Sequence, residues 1–420
     1  MPIKLSVFSS SLVLIAGLVA TAAIGGCQDG HEPQTSTTPV PAKPAEIRGV
    51  WVATVANIDW PSSKTLTDAQ RRAEMVAILD RAKSIGLNTI FFQVRPTGDA
   101  MYRSDLEPWS EFLAGSSGAG PADGSDPLQE WITQAHARGI ELHAWINPYR
   151  VGHPKLTGTQ SASHPSNALA FVTRSYGEYK WMDPGESIAK EHTLKVVEDL
   201  CRRYELDGVH VDDYFYPYPI NDKTGKRVEF PDDGAWGAYQ ASGGKLSRDD
   251  WRRANIDSLI VDLGMRSKAA ARGRNPARPL TFSISPFGIW RPGFPAGVKG
   301  FDAYAGLYAD ARKWANEGTI DLVVPQLYWK IDAPEQPYQP LLDWWVSQRS
   351  PRTRVAVGLN ASRIGVEGAK GFSASEITRQ IELARATKGT SGYVLFSMKP
   401  LLEDRDGIVR GMQGLNAESR

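Results

Sequence analysis

From Ile47 onward, runs of six to eight largely apolar residues alternate with longer stretches whose apolar positions recur at helical spacing. The runs predict strands at 47–54, 88–95, 140–147, 208–213, 280–287, 322–329, 354–360 and 392–398. Helices are predicted between them at 67–85, 127–138, 186–204, 248–271, 302–317, 338–348 and 374–387. Thr67 and Gln70 have the spacing of a capping box, and Asp126-Pro127 reads as an N-cap followed by proline at the first helical position. Gly86, Gly139 and Gly318 stand where helices should stop. Eight strands separated by seven helices is the rhythm of an α/β fold of the (β/α)8 TIM-barrel type. A doubly wound open sheet is the alternative, but no glycine-rich phosphate turn follows the first strand. Connections from helix to strand are short, as at 84–87, 137–139 and 204–207, whereas those leaving a strand are long, at 96–125, 148–185, 214–247 and 288–301. In a barrel, long loops on the C-terminal face place the active site there.

Alternate positions within the strands carry the chemistry. Strand two offers Gln93 and Arg95, strand three His143, Trp145 and Asn147, strand four His210 and Asp212, strand six Gln326 and Tyr328, and strand seven ends at Asn360. In each of these strands the apolar residues take the opposite parity, as expected if the polar set points into the mouth of a barrel. The stretch Asp207 to Pro219 is the most pointed of them: Val209 and Val211 alternate with His210 and Asp212, and Asp212-Asp213 runs straight into three aromatics and two prolines. Two carboxylates beside a rigid, ring-lined loop suit a sugar face, while a buried, purely structural acid pair is the plain alternative.

Composition narrows the classes. A formal net charge of +1 gives no reason to expect a nucleic-acid partner, and 13 Trp, 14 Tyr and 13 Phe supply flat rings well beyond the strands. The 420 residues, 41% hydrophobic, suffice for one large barrel or two ordinary domains; no internal repeat or boundary calls for a second domain, so residues 46–420 are read as one barrel domain. Ahead of it, residues 1–26 read as an export signal, with Lys4 at the positive start and an apolar region from Leu5 to Ala20. Ile24-Gly25-Gly26-Cys27 resembles the lipobox of bacterial lipoproteins, which implies lipid (palmitate) on Cys27 and a membrane partner through it. Gln28 in place of Asp implies, by the same resemblance, outer-membrane rather than inner-membrane sorting. Residues 28–45, rich in Pro, Thr, Ser and Ala, form a linker able to span roughly 60 Å when extended. Cys201, on a predicted helix, is read as a small buried apolar residue.

The segments Arg48–Trp51, Phe92–Pro96 with Gly98–Ala100, His143–Arg150, Trp181–Gly185, Asp207–Pro217 and Pro325–Trp329 resemble those of the glycosyl-hydrolase-like 10 family, over about Glu46 to Leu401. The resemblance implies a barrel glycosidase of the bacterial envelope, some of whose relatives cleave peptidoglycan glycan strands stripped of stem peptides. It also implies a polysaccharide substrate on the periplasmic side. Glycoside hydrolysis needs one carboxyl to protonate the leaving oxygen and another to attack or to activate water. Asp212 is the candidate nucleophile or charge stabiliser, and Asp213, Asp183 and Asp99 compete as the acid. Strands five to eight offer no carboxylate at their ends, which departs from many glycosidases. Arg95, His143, Asn147, His210, Gln326 and Asn360 are candidate hydrogen-bonding partners for the sugar, and Trp145, Trp181, Tyr214, Tyr328 and Trp329 candidate stacking platforms. The reading calls for no cofactor and no metal ion. Two rivals remain: a metal-dependent polysaccharide deacetylase using His143, His210 and Asp212, disfavoured by the lack of His-x-His or His-Glu-x-x-His, and a glycan-binding lipoprotein without turnover.

Overall fold

The computed structural model describes residues 46–368 and 370–417; the export signal, Cys27 and the linker, expected within 1–45, lie outside the described residues. Eight parallel strands close into a barrel: β1 (Ile47–Val52), β2 (Thr89–Arg95), β3 (Glu141–Ile146), β4 (Gly208–Val211), β5 (Thr281–Ile284), β6 (Leu322–Val323), β7 (Arg354–Leu359) and β8 (Thr390–Leu395). They pair in chain order, and β8 returns to β1 with Val50 opposite Leu395. The strands are joined by helices α1 (Asp68–Ser84), α2 (Pro127–His136), α3 (Ser187–Arg203), α4 (Arg248–Arg274), α5 (Ala311–Glu317), α6 (Tyr338–Ser347) and α7 (Ala374–Ala386), with α8 (Ile408–Ala417) after the last strand and a further helix, Asp233–Ala241, in the loop after β4.

Strand parity divides the apolar residues into two cores. Trp51, Phe91, Trp145, Val324, Ala356 and Val394 fill the barrel interior. Their neighbours Val50, Phe92, Ala144, Val209, Ile284 and Val355 face the helices. On that outer face, Trp131 of α2 stacks on Phe92 with centroids 4.6 Å apart and meets Trp60 edge-on at 5.6 Å. Burial of one such ring contributes about 1.5–3 kcal/mol, so α2 is held mainly by packing. Its start is set locally, by the Asp126 carboxylate accepting from the Leu128 and Gln129 amides ahead of Pro127. The Thr67–Gln70 capping box forms in full at the head of α1. Gly86, Gly139 and Gly318 all have positive φ, at 78°, 70° and 69°, where their helices stop.

Three departures have physical reasons. The sixth strand is only two residues long because Pro325 brings no N–H to the ladder, and the chain then continues through single bridges from Gln326 to Phe287 and Gly358. The helix expected at 302–317 is broken, since buried Tyr308 has φ 55° and Asp310 then caps a new helix by accepting from the Lys313 amide. At the C-terminus, α8 was not expected; it buries Ile408, Val409 and Met412, and Asn416 donates to the Ile85 carbonyl beneath the barrel. The long loop after β3 also holds its own antiparallel sheet, made of Arg150–Gly152, Thr173–Tyr176 and Tyr179–Met182. Cys201 is a free, buried thiol whose pKa burial pushes up to about 12, consistent with a packing role.

Candidate active site

A cavity of about 380 Å³ opens at the C-terminal mouth of the barrel. Asp212 and Asp213 enter it directly after β4, with Trp145 from β3, Gln326 and Tyr328 after β6, and Tyr214 and Tyr218 from the loop that follows the carboxylates. His153 and Tyr179, from the small antiparallel sheet and its edge, line it as well.

Asp212 is held as an acceptor on both oxygens. Its Oδ2 accepts from Trp145 Nε1 at 3.0 Å and Asn147 Nδ2 at 2.6 Å, and its Oδ1 from the Tyr214 amide at 3.1 Å. The Asn147 amide cannot turn over, because its Oδ1 already accepts from Gln93 Nε2 at 2.8 Å and Arg150 Nη2 at 2.7 Å. Gln93 is fixed in turn by the Thr54 and Val55 amides, which donate to its Oε1 at 3.0 and 2.9 Å. The loop after β1 therefore positions a carboxylate three strands away. Burial raises the pKa of Asp212 above the ordinary carboxylate value, and Arg150 and the three donors oppose that rise.

Asp213 has a different setting although it is the next residue. It accepts a hydrogen bond from the Tyr218 hydroxyl, and burial followed by the charge of Asp212 pushes its pKa up to about 7. The adjacent acids thus differ in setting: Asp212 is held by three donors and the charge of Arg150, whereas Asp213 accepts from the Tyr218 hydroxyl and faces the charge of its neighbour.

Beneath the cavity lies a polar layer. Trp51 Nε1 donates to His210 Nε2 at 3.0 Å; an indole N–H only donates, so that nitrogen is the acceptor and His210 is the neutral Nδ1–H tautomer, facing Ser283 Oγ at 2.8 Å. Burial holds its pKa well below the usual histidine value. Ser285 Oγ lies 3.0 Å from the same Nε2 and reaches the cavity.

Of the expected site residues, Asp212, Asp213, Trp145, Tyr214, Gln326 and Tyr328 line the cavity, and Asn147 touches Asp212 from beside it. Eight others do not line it. Arg95 shares the inward parity of Gln93, but a bulge between the two pairs Arg95 with outward-facing Ile146, and the side chain turns to a buried ion pair with Glu107. Asp99 is wholly buried and folds its own loop, accepting from Thr97 N at 2.8 Å and Oγ1 at 2.9 Å. Asp183 accepts from the Gly185 amide at 2.9 Å, and burial pushes its pKa up to about 6, but it lies behind the small sheet with Arg174 3.4 Å away. Trp181, on that sheet, spends its Nε1 on the Phe215 carbonyl at 2.8 Å. His143 and His210 are inward but sit lower in the barrel; the His143 ring fits over Gly208, where an added Cβ would lie 2.3 Å from its Nδ1. Trp329 backs the cavity wall by packing edge-on against Phe287 at 5.6 Å, and Asn360 accepts from Ser362 beyond the end of β7.

The reading missed Gln93 and Arg150 as positioning groups, Tyr218 as the partner of Asp213, and Trp51, Ser285, Phe287, Phe396, His153 and Tyr179 as lining. Trp51, Ser285 and Phe396 could have been found by extending the inward parity to strands one, five and eight. Tyr218 and Tyr179 could not, since loop geometry alone brings them in. Among the described residues, no group of three or more His, Cys, Asp or Glu side chains is arranged to hold a metal ion, so the ligand set His143, His210 and Asp212 does not assemble.

A family model for glycosyl hydrolase-like 10 matches residues 46–372. The chain belongs to the glycosyl hydrolase-like 10 family. It is 37% identical over 376 residues to glycosyl hydrolase YngK of Bacillus subtilis, covering 86% of this chain and 70% of that protein. It is 34% identical over 379 residues to glycosyl hydrolase DigH of Escherichia coli, covering 83% of this chain and 82% of that protein. Among solved structures it is similar in fold to the glycoside hydrolase domain of PgaB (BpsB) from Bordetella bronchiseptica, with TM-score 0.60, 16% identity, and 89% and 99% of the two chains covered. The catalytic domain of a Paenibacillus polymyxa β-amylase matches with TM-score 0.55 at 12% identity, over 83% and 95% of the two chains. The expected class, a glycoside hydrolase on a TIM barrel, is the class of this glycosyl hydrolase-like 10 protein.

Proposed function

We propose that this glycosyl hydrolase-like 10 enzyme cleaves peptidoglycan glycan strands free of stem peptides, with Asp213 as general acid and Asp212 as the anion that stabilises positive charge at the anomeric carbon. The observation that carries the roles is the unequal setting of two consecutive carboxylates in one cavity. Asp213, pushed up to about 7, keeps its proton near neutrality and can deliver it to the glycosidic oxygen. Asp212 accepts from three donors that favour its charged form. Trp145, Tyr214 and Tyr328 line the same cavity and give it the aromatic surface that sugars pack against. Peptidoglycan is favoured by the lipobox-like Ile24–Cys27 and the linker at 28–45, which together would hold a soluble barrel on the periplasmic side of the outer membrane.

Incubating the protein with denuded glycan strands and following new reducing ends, with and without a chelator, tests the activity. Chelator-insensitive release is expected; binding without release would mean a glycan-binding protein, and loss with chelator a metal enzyme. Lipid anchoring is tested by Cys27→Ala, which should move the protein from membranes to the soluble periplasmic fraction; unchanged membrane association would refute it.

A further inference from the structure

Asp212 and Asp213 are the only carboxylates among the described residues that line the cavity, and they leave the same strand end. Across the barrel, β8 and β1 present Phe396, Trp51 and Ala53, so no acid faces the pair from the opposite wall. Hydrolysis by two carboxylates places them on opposite sides of the scissile bond, one to protonate and one to attack or to activate water. Consecutive residues on one wall do not provide that arrangement.

Asp212 is also poorly prepared to attack. Three of the roughly four acceptor positions of a carboxylate are already filled by Trp145, Asn147 and the Tyr214 amide. Attack through Oδ2 would give up two of those bonds. The remaining position, on Oδ1, suits a single N–H. Tyr328 supplies the complement: its side chain lines the same cavity, both carboxylates act electrostatically on its hydroxyl, and among the described residues that hydroxyl has no hydrogen-bond partner. One acceptor and one donor in the same space match the two ends of an amide.

We propose that the nucleophile is the substrate's own 2-acetamido oxygen, so that the sugar in the reacting position is a 2-acetamido-2-deoxyhexose. This rests on the glycosidase reading above and supplies the nucleophile that site lacks. The acetamide oxygen, oriented by the Tyr328 hydroxyl, forms a bond to the anomeric carbon as the bond to the leaving oxygen breaks. The leaving oxygen keeps that electron pair and takes the proton of Asp213. The product of this step is a bicyclic oxazolinium whose N–H is held by Asp212. Water then gives a proton to the Asp213 carboxylate, adds to the anomeric carbon and reopens the ring, which returns the acetamide. Configuration is retained without a covalent enzyme intermediate.

The test uses oligosaccharides of N-acetylglucosamine, their de-N-acetylated counterparts and N-trifluoroacetyl analogues, with proton NMR of the first-formed product. N-acetylglucosamine thiazoline, a stable mimic of the bicyclic intermediate, serves as the binding probe in calorimetry. Cleavage of the N-acetyl substrate with retention is expected, with a loss of at least about a thousandfold for the free amine and an intermediate rate for the electron-poor amide. The thiazoline should bind, and more weakly to Tyr328→Phe, whose rate should fall about tenfold or more with an unchanged pH profile. Equal rates on acetylated and de-acetylated chains, inversion at the anomeric carbon, or no thiazoline binding would each overturn the inference while leaving glycosidase activity standing. Release of no reducing ends from any glycan would overturn both.

Discussion

Asp213 and Asp183 are both buried acids on loops that follow barrel strands, and burial pushes both upward, to about 7 and about 6. By pKa alone they are interchangeable, and by sequence each sits in a Trp- or Tyr-rich motif. What separates them is the direction in which they face. Asp213 opens on a 380 Å³ cavity beside a second carboxylate, whereas Asp183 caps the Gly185 amide behind a small sheet, near Arg174. A raised carboxylate pKa thus reports removal from water, and only geometry tells whether the proton can reach a substrate.

The largest expected effect breaks this comparison open. Asp213→Asn should lower turnover about 10²–10⁴-fold and be partly rescued on substrates with good leaving groups. Asp212→Asn should lose about as much without rescue, because the charge it stabilises forms whatever the leaving group. Asp183→Asn should keep turnover within a few-fold of the parent and leave its mark on stability instead. Its raised pKa means that the folded state binds the proton more tightly than the unfolded chain, so Asp183 makes stability fall as pH rises from about 4 to about 6. Thermal melts of Asp183→Asn should show a smaller fall over that window. An inactive, normally folded Asp183→Asn would return that residue to the reacting centre.

The same contrast explains how far the sequence could be read. Alternation of apolar and polar positions follows directly from strand geometry, so all eight strands and the inward set Gln93, Trp145, Asp212 and Gln326 were legible. Arg95 was misread because one bulge between it and Gln93 reverses the parity, and no residue type announces that bulge. Asp183 and Trp181 were misread because they follow a chemistry-like motif whose sheet folds on itself; pairing of Arg150 with Trp181 is a long-range fact. Arg150 lay inside a recognised segment, but its role depends on reaching Asn147 at 2.7 Å while lying over the Tyr214 ring at 5.0 Å, a convergence of three chain segments. Residues that continue a strand directly, such as Asp212, Asp213, Tyr214, Gln326 and Tyr328, were therefore readable, and those brought in by bulges or by longer-range loop folding were not.

The smallest effect is the sharpest discriminator of the two neighbouring acids, and it concerns the alkaline limb of the pH–rate profile. If Asp213 must be protonated to act, turnover falls as pH rises through about 7, the value at which it ionises in the fold. The Tyr218 hydroxyl donates to Asp213 and so favours its anion; the charge of Asp212 opposes that anion. Tyr218→Phe keeps the ring, which packs against Phe301 at 5.3 Å, and removes only the donor. One hydrogen bond to a charged group is worth about 1.5–3 kcal/mol, discounted because Tyr218 is partly exposed, so the limb should move upward by about one pH unit. In Asp212→Asn the residual activity should show the limb moving the other way, downward, because the repelling charge has gone. Opposite shifts from two substitutions flanking one carboxyl would assign the limb to Asp213. A limb that stays in place in Tyr218→Phe would assign it to another group and remove Asp213 from the acid role.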